Sequence, residues 1–467
     1  MVIPYIVNCD RVLNINSLKY FKNGISRDGY TNNFQENINK LCGLASIQEI
    51  LNSNDRNKLT SVNFNNYKKL TNALNAFNGN TTITTISMPD TYNLENGNSM
   101  FKSCTNLTTF TIPSLQKLQD GSYMFYNCMN LSFDTIPVTE GFPELTNAYM
   151  MFQTCTNLTT VDLKNTSKLV NANYMFNGCS ALTEVKNLNN CTALEEIDYA
   201  FFGTHITSID LSGLSALRLM QYTFNDCTNL TTVTGLNDLA NCTSIYAAFK
   251  GCTALTNLNN GQVINLPKVT NANDAFNGCT ALRQVNLNLP SITDLSSNAN
   301  GIFTGCTFTK ITITATNCTS ASNVFSGMSS LKELDFNPGD NCTTYNNTLK
   351  GCTGLTKLKI NVTGYNAYEQ DRENGNHLAS ENKDYTLLGY CTNLTDIDFY
   401  GEIMYNLSFE YNPLLSSNSI NNITRALHDY SSGGGHNSTF ITFPIGFNLT
   451  TQQMDAITAK GWTITWS

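Results

Sequence analysis

Sixteen cysteines, four histidines and a scatter of aspartates are the residues in this chain whose chemistry could be put to work. Thiols at short regular spacing can hold zinc or close disulfides. No Cys-x-x-Cys pair occurs, however, and none of His205, His377, His428 and His436 stands beside a cysteine or acid at metal-ligand spacing. Neither a metal nor a cofactor is expected. A serine nucleophile on a Gly-x-Ser-x-Gly elbow is also absent. Cleavage of a glycosidic bond would need two carboxylates roughly 5–10 Å apart. Acids do recur at one repeated position, Asp162, Asp210, Asp335 and Asp398, but never in adjacent copies. With rungs about 5 Å apart, Asp162 and Asp210 would stand about 10 Å apart, with Lys186 near that column. The other members, Ser87, Thr111, Asn286, Thr312 and Lys359, make a mixed polar surface. No catalytic residue is expected, and a polysaccharide depolymerase is the weakest of the readings kept below.

The elements that would position these residues come from a repeat. The phrase Phe-x-Gly-Cys-Thr-x-Leu-Thr recurs as Phe101 to Thr108, Phe176 to Thr183 and Phe276 to Leu282. Its aromatic falls at Phe77, Phe101, Phe125, Phe152, Phe176, Phe201, Phe224, Phe249, Phe276, Phe303 and Phe325, with Leu349 and Leu388 standing in at the end. Most steps are about 22 to 27 residues, a period in the twenties that belongs to stacked repeats. After each Leu comes a short alternating run such as Thr160-Val161-Asp162-Leu163 or Glu333-Leu334-Asp335-Phe336. Alternation with period two predicts a half-buried strand. Seven residues before the Phe stands a second apolar column, Leu70, Leu118, Leu145, Leu169, Leu194, Leu217 and Val269, placed on a second short strand. Between them the segment Ala-x-x-Met-Phe-x-Gly reads as one helical turn closed by glycine.

One copy cannot bury its own apolar face, so copies must stack into a continuous core. That explains the thiols. Ten of the sixteen, from Cys104 and Cys128 through Cys391, hold one place in the phrase, and Cys242, Cys318 and Cys342 hold the other apolar place. They are read as small buried hydrophobes. Thiols of one column point the same way one rung apart, a poor geometry for disulfides. The Asn-x-Thr sequons, for example Asn106, Asn157 and Asn229, arise from the phrase itself, and no glycosylation is inferred from them.

This phrase resembles the BspA-like leucine-rich repeats. The resemblance covers about residues 66–400, in about thirteen copies. It implies an α+β repeat solenoid with short strands and single-turn helices per rung, capped at both ends. It also implies roles in adhesion and recognition, with no catalytic motif. Residues 1–65 lack the phrase, contain a predicted helix from Leu44 to Leu51, and read as an N-terminal cap. Residues 401–467 read as a C-terminal α/β cap. In it Ser416 or Ser417 caps a helix with Ile420, Ile423 and Leu427 on one face, and Phe440 to Phe443 is a strand. A second helix runs from Thr450 to Lys460, stopped by Gly461, before a last strand, Trp462 to Trp466. The words Pro413 to Ile420 and Ala459 to Ile464 resemble the tails of phage and prophage repeat proteins of gut bacteria. An insertion near 362–384 carries Tyr365, Tyr368, Arg372 and His377, with Asp384 at its end. It reads either as a recognition loop, with those four as candidate ligand contacts, or as a tolerated surface insertion.

Charge narrows the partners. Charged residues are 13% of the chain and the formal net charge is −8. Nucleic acid and anionic membrane both call for basic patches, and no Lys/Arg cluster longer than a pair exists. No stretch approaches eighteen apolar residues, so no membrane insertion is expected. The start, Met1 to Asp10, lacks a basic region and is broken by Pro4, so no secretory signal is expected. The leading expectation is a non-enzymatic bacteriophage virion protein of the tail, baseplate or head surface. It would contact other virion proteins or a host surface protein or glycan, and a homo-oligomer is compatible with it. The alternative is a bacterial cell-surface or secreted adhesin.

Overall fold

A computed structural model describes residues 46–47, 60–63, 67–89, 91–111, 115–132, 141–296, 301–365, 387–432 and 439–467. The chain divides into two compact units, Met1–Leu239 and Ala240–Ser467. In the first, strands β1 (Ser61–Asn63), β2 (Thr85–Ser87) and β3 (Thr109–Thr111) pair in parallel, as do β4 (Thr160–Asp162) with β5 (Glu184–Lys186) and β6 (Ser208–Asp210) with β7 (Thr232–Thr234). In the second, β8 (Asn257–Leu258) is followed by a six-stranded parallel sheet. Its members are β9 (Ile264–Asn265), β10 (Gln284–Asn288), β11 (Lys310–Thr314), β12 (Glu333–Asn337), β13 (Lys357–Ile360) and β14 (Asp396–Phe399), in chain order. The alternation read from the sequence is the alternation of burial. In β11 and β12, Ile311, Ile313, Leu334 and Phe336 point inward and the residues between them face out. The long step before Leu388 leaves the stack undisturbed, because Lys357 still pairs with Asp396 and Ile360 with Phe399.

The expected single-turn helices do not form, and each unit is a β-solenoid with few helices. The Ala-x-x-Met-Phe segment carries two residues with left-handed backbone, two before and two after the Phe. They are Tyr123 (φ 55°) and Asn127 (φ 59°) around Phe125, and Tyr174 (φ 58°) and Gly178 (φ 71°) around Phe176. A helix cannot pass through that conformation. The segment folds instead as a run of tight turns whose N–H groups alternate between two duties. Met124 and Tyr126 donate within the rung, to Gly121 and Tyr123 carbonyls at 3.0 and 3.1 Å. Tyr123, Phe125 and Asn127 donate to the next rung, to the carbonyls of Tyr149, Met151 and Gln153 at 2.8–2.9 Å. The expected second strand shrinks likewise to one bridge per rung, as in Asn96 with Asp120 and Asp120 with Asn147.

Stacking orders the core. In the first unit successive rings from Phe77 to Phe224 lie 5.3–5.8 Å apart, tilted by 8–25°. In the second, Phe249, Phe276, Phe303 and Phe325 lie 5.6–6.2 Å apart. Each ring gains about 1.5–3 kcal/mol from burial, and a good pair adds about 0.5–1.5.

The polar residues of the phrase close the remaining hydrogen bonds. Asn72, Asn96, Asn147 and Asn171 each accept the N–H two residues on, at 2.9–3.1 Å. Where Glu196 and Leu219 replace this asparagine, the N–H groups of Asp198 and Gln221 turn to Asn173 and Asp198 of the preceding rung, both at 2.6 Å. Thr108, Thr183, Thr231 and Thr356 hydroxyls donate to the carbonyl one rung back at 2.9–3.3 Å. The excess of Asn and Thr is thus a structural accounting of backbone groups.

The C-terminal elements form where their capping residues place them. Helix α1 (Ser417–Ala426) is capped by Ser416 and buries Ile420 and Ile423. Helix α2 (Thr451–Thr458) starts in a capping box made by Thr450 and Gln453. Strands β15 (Leu407–Ser408), β16 (Phe440–Phe443) and β17 (Thr463–Trp466) form a small parallel sheet. Helix α1 lies against β14 and supplies side chains where another strand would supply backbone. Ile397 N–H donates to Ser419 Oγ at 3.0 Å, and Asn422 Nδ2 donates to Ile397 O at 3.0 Å. The predicted helix Leu44 to Leu51 and most of residues 1–65 lie outside the described residues.

Candidate recognition surface

The outward positions of β10 to β14 fall into two parallel rows. One runs Gln284, Lys310, Glu333, Lys357, Asp396, and the other Asn286, Thr312, Asp335, Lys359, Asp398. Sign alternates from rung to rung from Lys310 on in the first row and from Asp335 on in the second. Lys310 and Lys357 flank Glu333 at 3.1 and 3.5 Å, and the Lys310 ammonium holds the Glu333 carboxyl below its usual range. The second row is tied to residues beyond the strands. Arg425 of α1 pairs with Asp398 at 2.7 Å. Tyr400, just past β14, donates its hydroxyl to Asp335, and Lys359 lies over its ring at 4.0 Å. Burial raises the Tyr400 phenol, and the Asp335 carboxylate raises it further, so it stays a donor. The outward side chains of β11 to β14, with Asn422 of α1, line an open groove of about 280 Å³.

This arrangement offers charge and hydrogen bonds. Asp335 and Asp398 flank Lys359, so the two carboxylates stand two rungs apart, about 10 Å, with a cation between them. Asp162 likewise stands in register with Lys186 in the first unit. Among the described residues no group of three or more His, Cys, Asp or Glu is placed to hold a metal. No helix among them is long and apolar enough to cross a membrane.

The sequence-predicted contacts fare differently. Tyr365 is a correction: it is only 5% exposed, packs edge-on against the Tyr345 ring at 5.6 Å, and belongs to the core. An aromatic at the root of an insertion closes the rung that the insertion leaves. Tyr368, Arg372 and His377, with Asp384, lie outside the described residues. Arg425 and Tyr400 were missed by sequence reasoning. Nothing local marks Arg425, which meets Asp398 across 27 positions of chain.

The thiols are confirmed as core. All fourteen described cysteines are free, and all are buried except the half-buried Cys306. Their geometry adds a role that their position alone does not reveal. Eight of the phrase cysteines donate their thiol to the Phe carbonyl one rung back, as in Cys128 to Phe101 at 3.2 Å, Cys179 to Phe152 at 3.0 Å and Cys352 to Phe325 at 3.2 Å. Burial pushes Cys104, Cys179, Cys227 and Cys352 up to about 12, which removes the reactive thiolate. Cys318 runs the other way, because the Cys342 thiol donates to it and lowers it.

A family model described as BspA type leucine rich repeat region matches in six copies, over residues 25–149, 146–268 and 246–371. The chain belongs to the BspA-type leucine-rich-repeat family. No curated protein matches it. Among solved structures it is similar to a leucine-rich repeat protein from Bacteroides ovatus, at 16% identity over 84% of this chain and 86% of that one, with a TM-score of 0.41. It is also similar to a leucine rich cell surface protein from Faecalibacterium prausnitzii, at 21% identity over 78% and 86% of the two chains, with a TM-score of 0.35. Within this BspA-type repeat the Phe, Leu and Cys columns form the buried scaffold, and the outward rows are left to solvent or a partner.

Proposed function

We propose that this chain is a non-catalytic recognition protein that binds another protein through the charged strand face of its second unit. One observation carries the reading: two rows of alternating charge, cross-tied by Arg425 and Tyr400, on a sheet whose opposite side is core. Fixed charges of alternating sign set register and reject mismatched partners, and tyrosine and arginine are the side chains that most often anchor such contacts.

For the protein's location, the phage-like words Pro413 to Ile420 and Ala459 to Ile464 favour a virion component of tail, baseplate or head. The surface proteins among which such repeats occur favour a bacterial adhesin. Mass spectrometry of purified virions, beside protease shaving of intact cells, separates them. Recovery with the particles supports the first, and release from cells with none in particles retires it for the second. Lys359→Glu with Arg425→Glu tests the face itself: partner retention at low salt falls at least tenfold, and unchanged retention sinks the strand-face reading.

A further inference from the structure

A second surface stands apart from the charged one, on the turns of the first unit. The position two residues before the core Phe has left-handed backbone in rung after rung. Short polar residues suit it, and Asn75, Asn323 and Asn347 occupy it in three rungs. Four rungs of the first unit place tyrosine there instead: Tyr123, Tyr174, Tyr199 and Tyr222, with φ between 53° and 58°. In the rung between the first two, Tyr149 stands beside the left-handed Met150 and fills the row. The left-handed turn belongs to the repeat, but nothing in the stacking of rungs asks for a large ring there, and a bulky residue kept at such a position points to use.

The rings form one continuous file. Tyr174, Tyr199 and Tyr222 stack at 4.7 and 4.5 Å, tilted by 5° and 14°. Tyr149 is turned 71° and 72° from Tyr123 and Tyr174, at 5.4 and 6.1 Å. Lys102 closes one end, 4.4 Å over Tyr123. All five rings are half-buried, so they keep an outer edge in solvent. Each stacked tyrosine follows a hydrogen-bonding neighbour, Asn173, Asp198 and Gln221, and these are held in place. Asn173 donates to Glu196 at 2.9 Å, and Asp198 accepts the Gln221 N–H at 2.6 Å.

We propose that this tyrosine file is a binding site for a neutral linear polysaccharide laid along it. A file that repeats once per rung fits a ligand that is itself periodic, and the 4.5–6.1 Å repeat is close to the length of one pyranose unit. Phenol edges and hydroxyls alternating with amides and carboxylates match a chain whose sugar rings have apolar C–H faces and hydroxyl rims. Charge selects against the anionic polymers. Lys102 is engaged with Tyr123, and Glu196 and Asp198, bonded to the neighbours of the stacked rings, are acids.

The test is affinity electrophoresis of the full chain through gels holding a β-glucan, a mannan or a xylan, with polygalacturonate as the anionic contrast. Retardation by at least one neutral polymer, and none by polygalacturonate, is expected. The triple variant Tyr174→Asn, Tyr199→Asn, Tyr222→Asn installs the residue the fold already uses at Asn323 and Asn347. It should keep its thermal midpoint and lose at least tenfold in affinity. Lys359→Glu should bind as the native chain does, which keeps this site separate from the protein-binding face. Failure of the native chain to bind any neutral polymer overturns the proposal. So does undiminished binding by the triple variant, or tighter binding to polygalacturonate or to a proline-rich peptide. A lowered midpoint with unchanged affinity would make the file a stability device and overturn it equally.

Discussion

The two units bury the same columns and expose different ones. In the first, strands of three residues present mostly hydroxyls, Thr85, Thr109, Thr111, Thr232 and Thr234, while the turns carry the tyrosine file. In the second, strands of up to five residues present charge, while the same turn position returns to Ala247, Asp274, Asn323 and Asn347. Asp274 there is buried and paired with Lys250 at 3.2 Å. The contrast separates what the repeat must have from what it can vary. Inward residues answer to their neighbours above and below, so they are alike in both units. Outward residues answer only to solvent or a partner.

That comparison can be broken. The largest effect falls on the shared interior. Phe176→Ala in the first unit and Phe325→Ala in the second should each lower stability by about 3–5 kcal/mol in denaturant unfolding. A clearly smaller loss in one unit would mean that the two cores are not equivalent. The shared thiols give a second, pH-dependent check. Their folded values lie near 12, against an ordinary value near 9. Unfolding therefore releases protons between those limits, and stability is full below about pH 9 and falls as pH rises toward about 12. Unfolding followed from pH 8 to pH 12 should show a midpoint that drops steadily, and a flat profile would contradict the buried thiols.

Smaller effects sharpen the exposed contrast. Asn323→Tyr moves the first unit's residue into the second without neighbouring rings, and should cost about 1–2 kcal/mol. If it costs nothing, the left-handed position does not discriminate and the tyrosines need no explanation. Lys357→Gln removes one exposed partner of Glu333 and should change stability by less than about 1 kcal/mol.

The scaffold was legible because its signal is repeated. Phe, Leu and Cys return to the same place in copy after copy, and alternation marks the strands. Ser416, Thr450 and Gly461 likewise marked the helix ends through capping chemistry that acts over three residues. The turns misled for a physical reason. Ala148, Met151 and Phe152 stand at i, i+3 and i+4, the spacing of a helical face, and a three-residue turn repeat produces the same spacing. Only the left-handed residues distinguish the two, and they are marked by glycine at Gly178 and Gly203 but disguised at Tyr174, Tyr199 and Met150. The strand-face site was half legible. Asp335, Lys359 and Asp398 could be placed in one row from the phrase alone, whereas Arg425 reaches it through the packing of α1 on β14. The tyrosine file was present in the aligned phrase, two places before Phe125, Phe176, Phe201 and Phe224, at a position that varies too much elsewhere to draw notice.

The contact of α1 with β14 bears on how such a gene can change length. Ser419 and Asn422 satisfy whatever backbone the last rung presents, and they do so from outside the repeat. Duplication or loss of a whole repeat upstream would leave this terminator and its target intact, and would not bare the edge of β14. Recombination between repeats can therefore alter the number of rungs, and with it the reach of each outward row, in single heritable steps that preserve a soluble end.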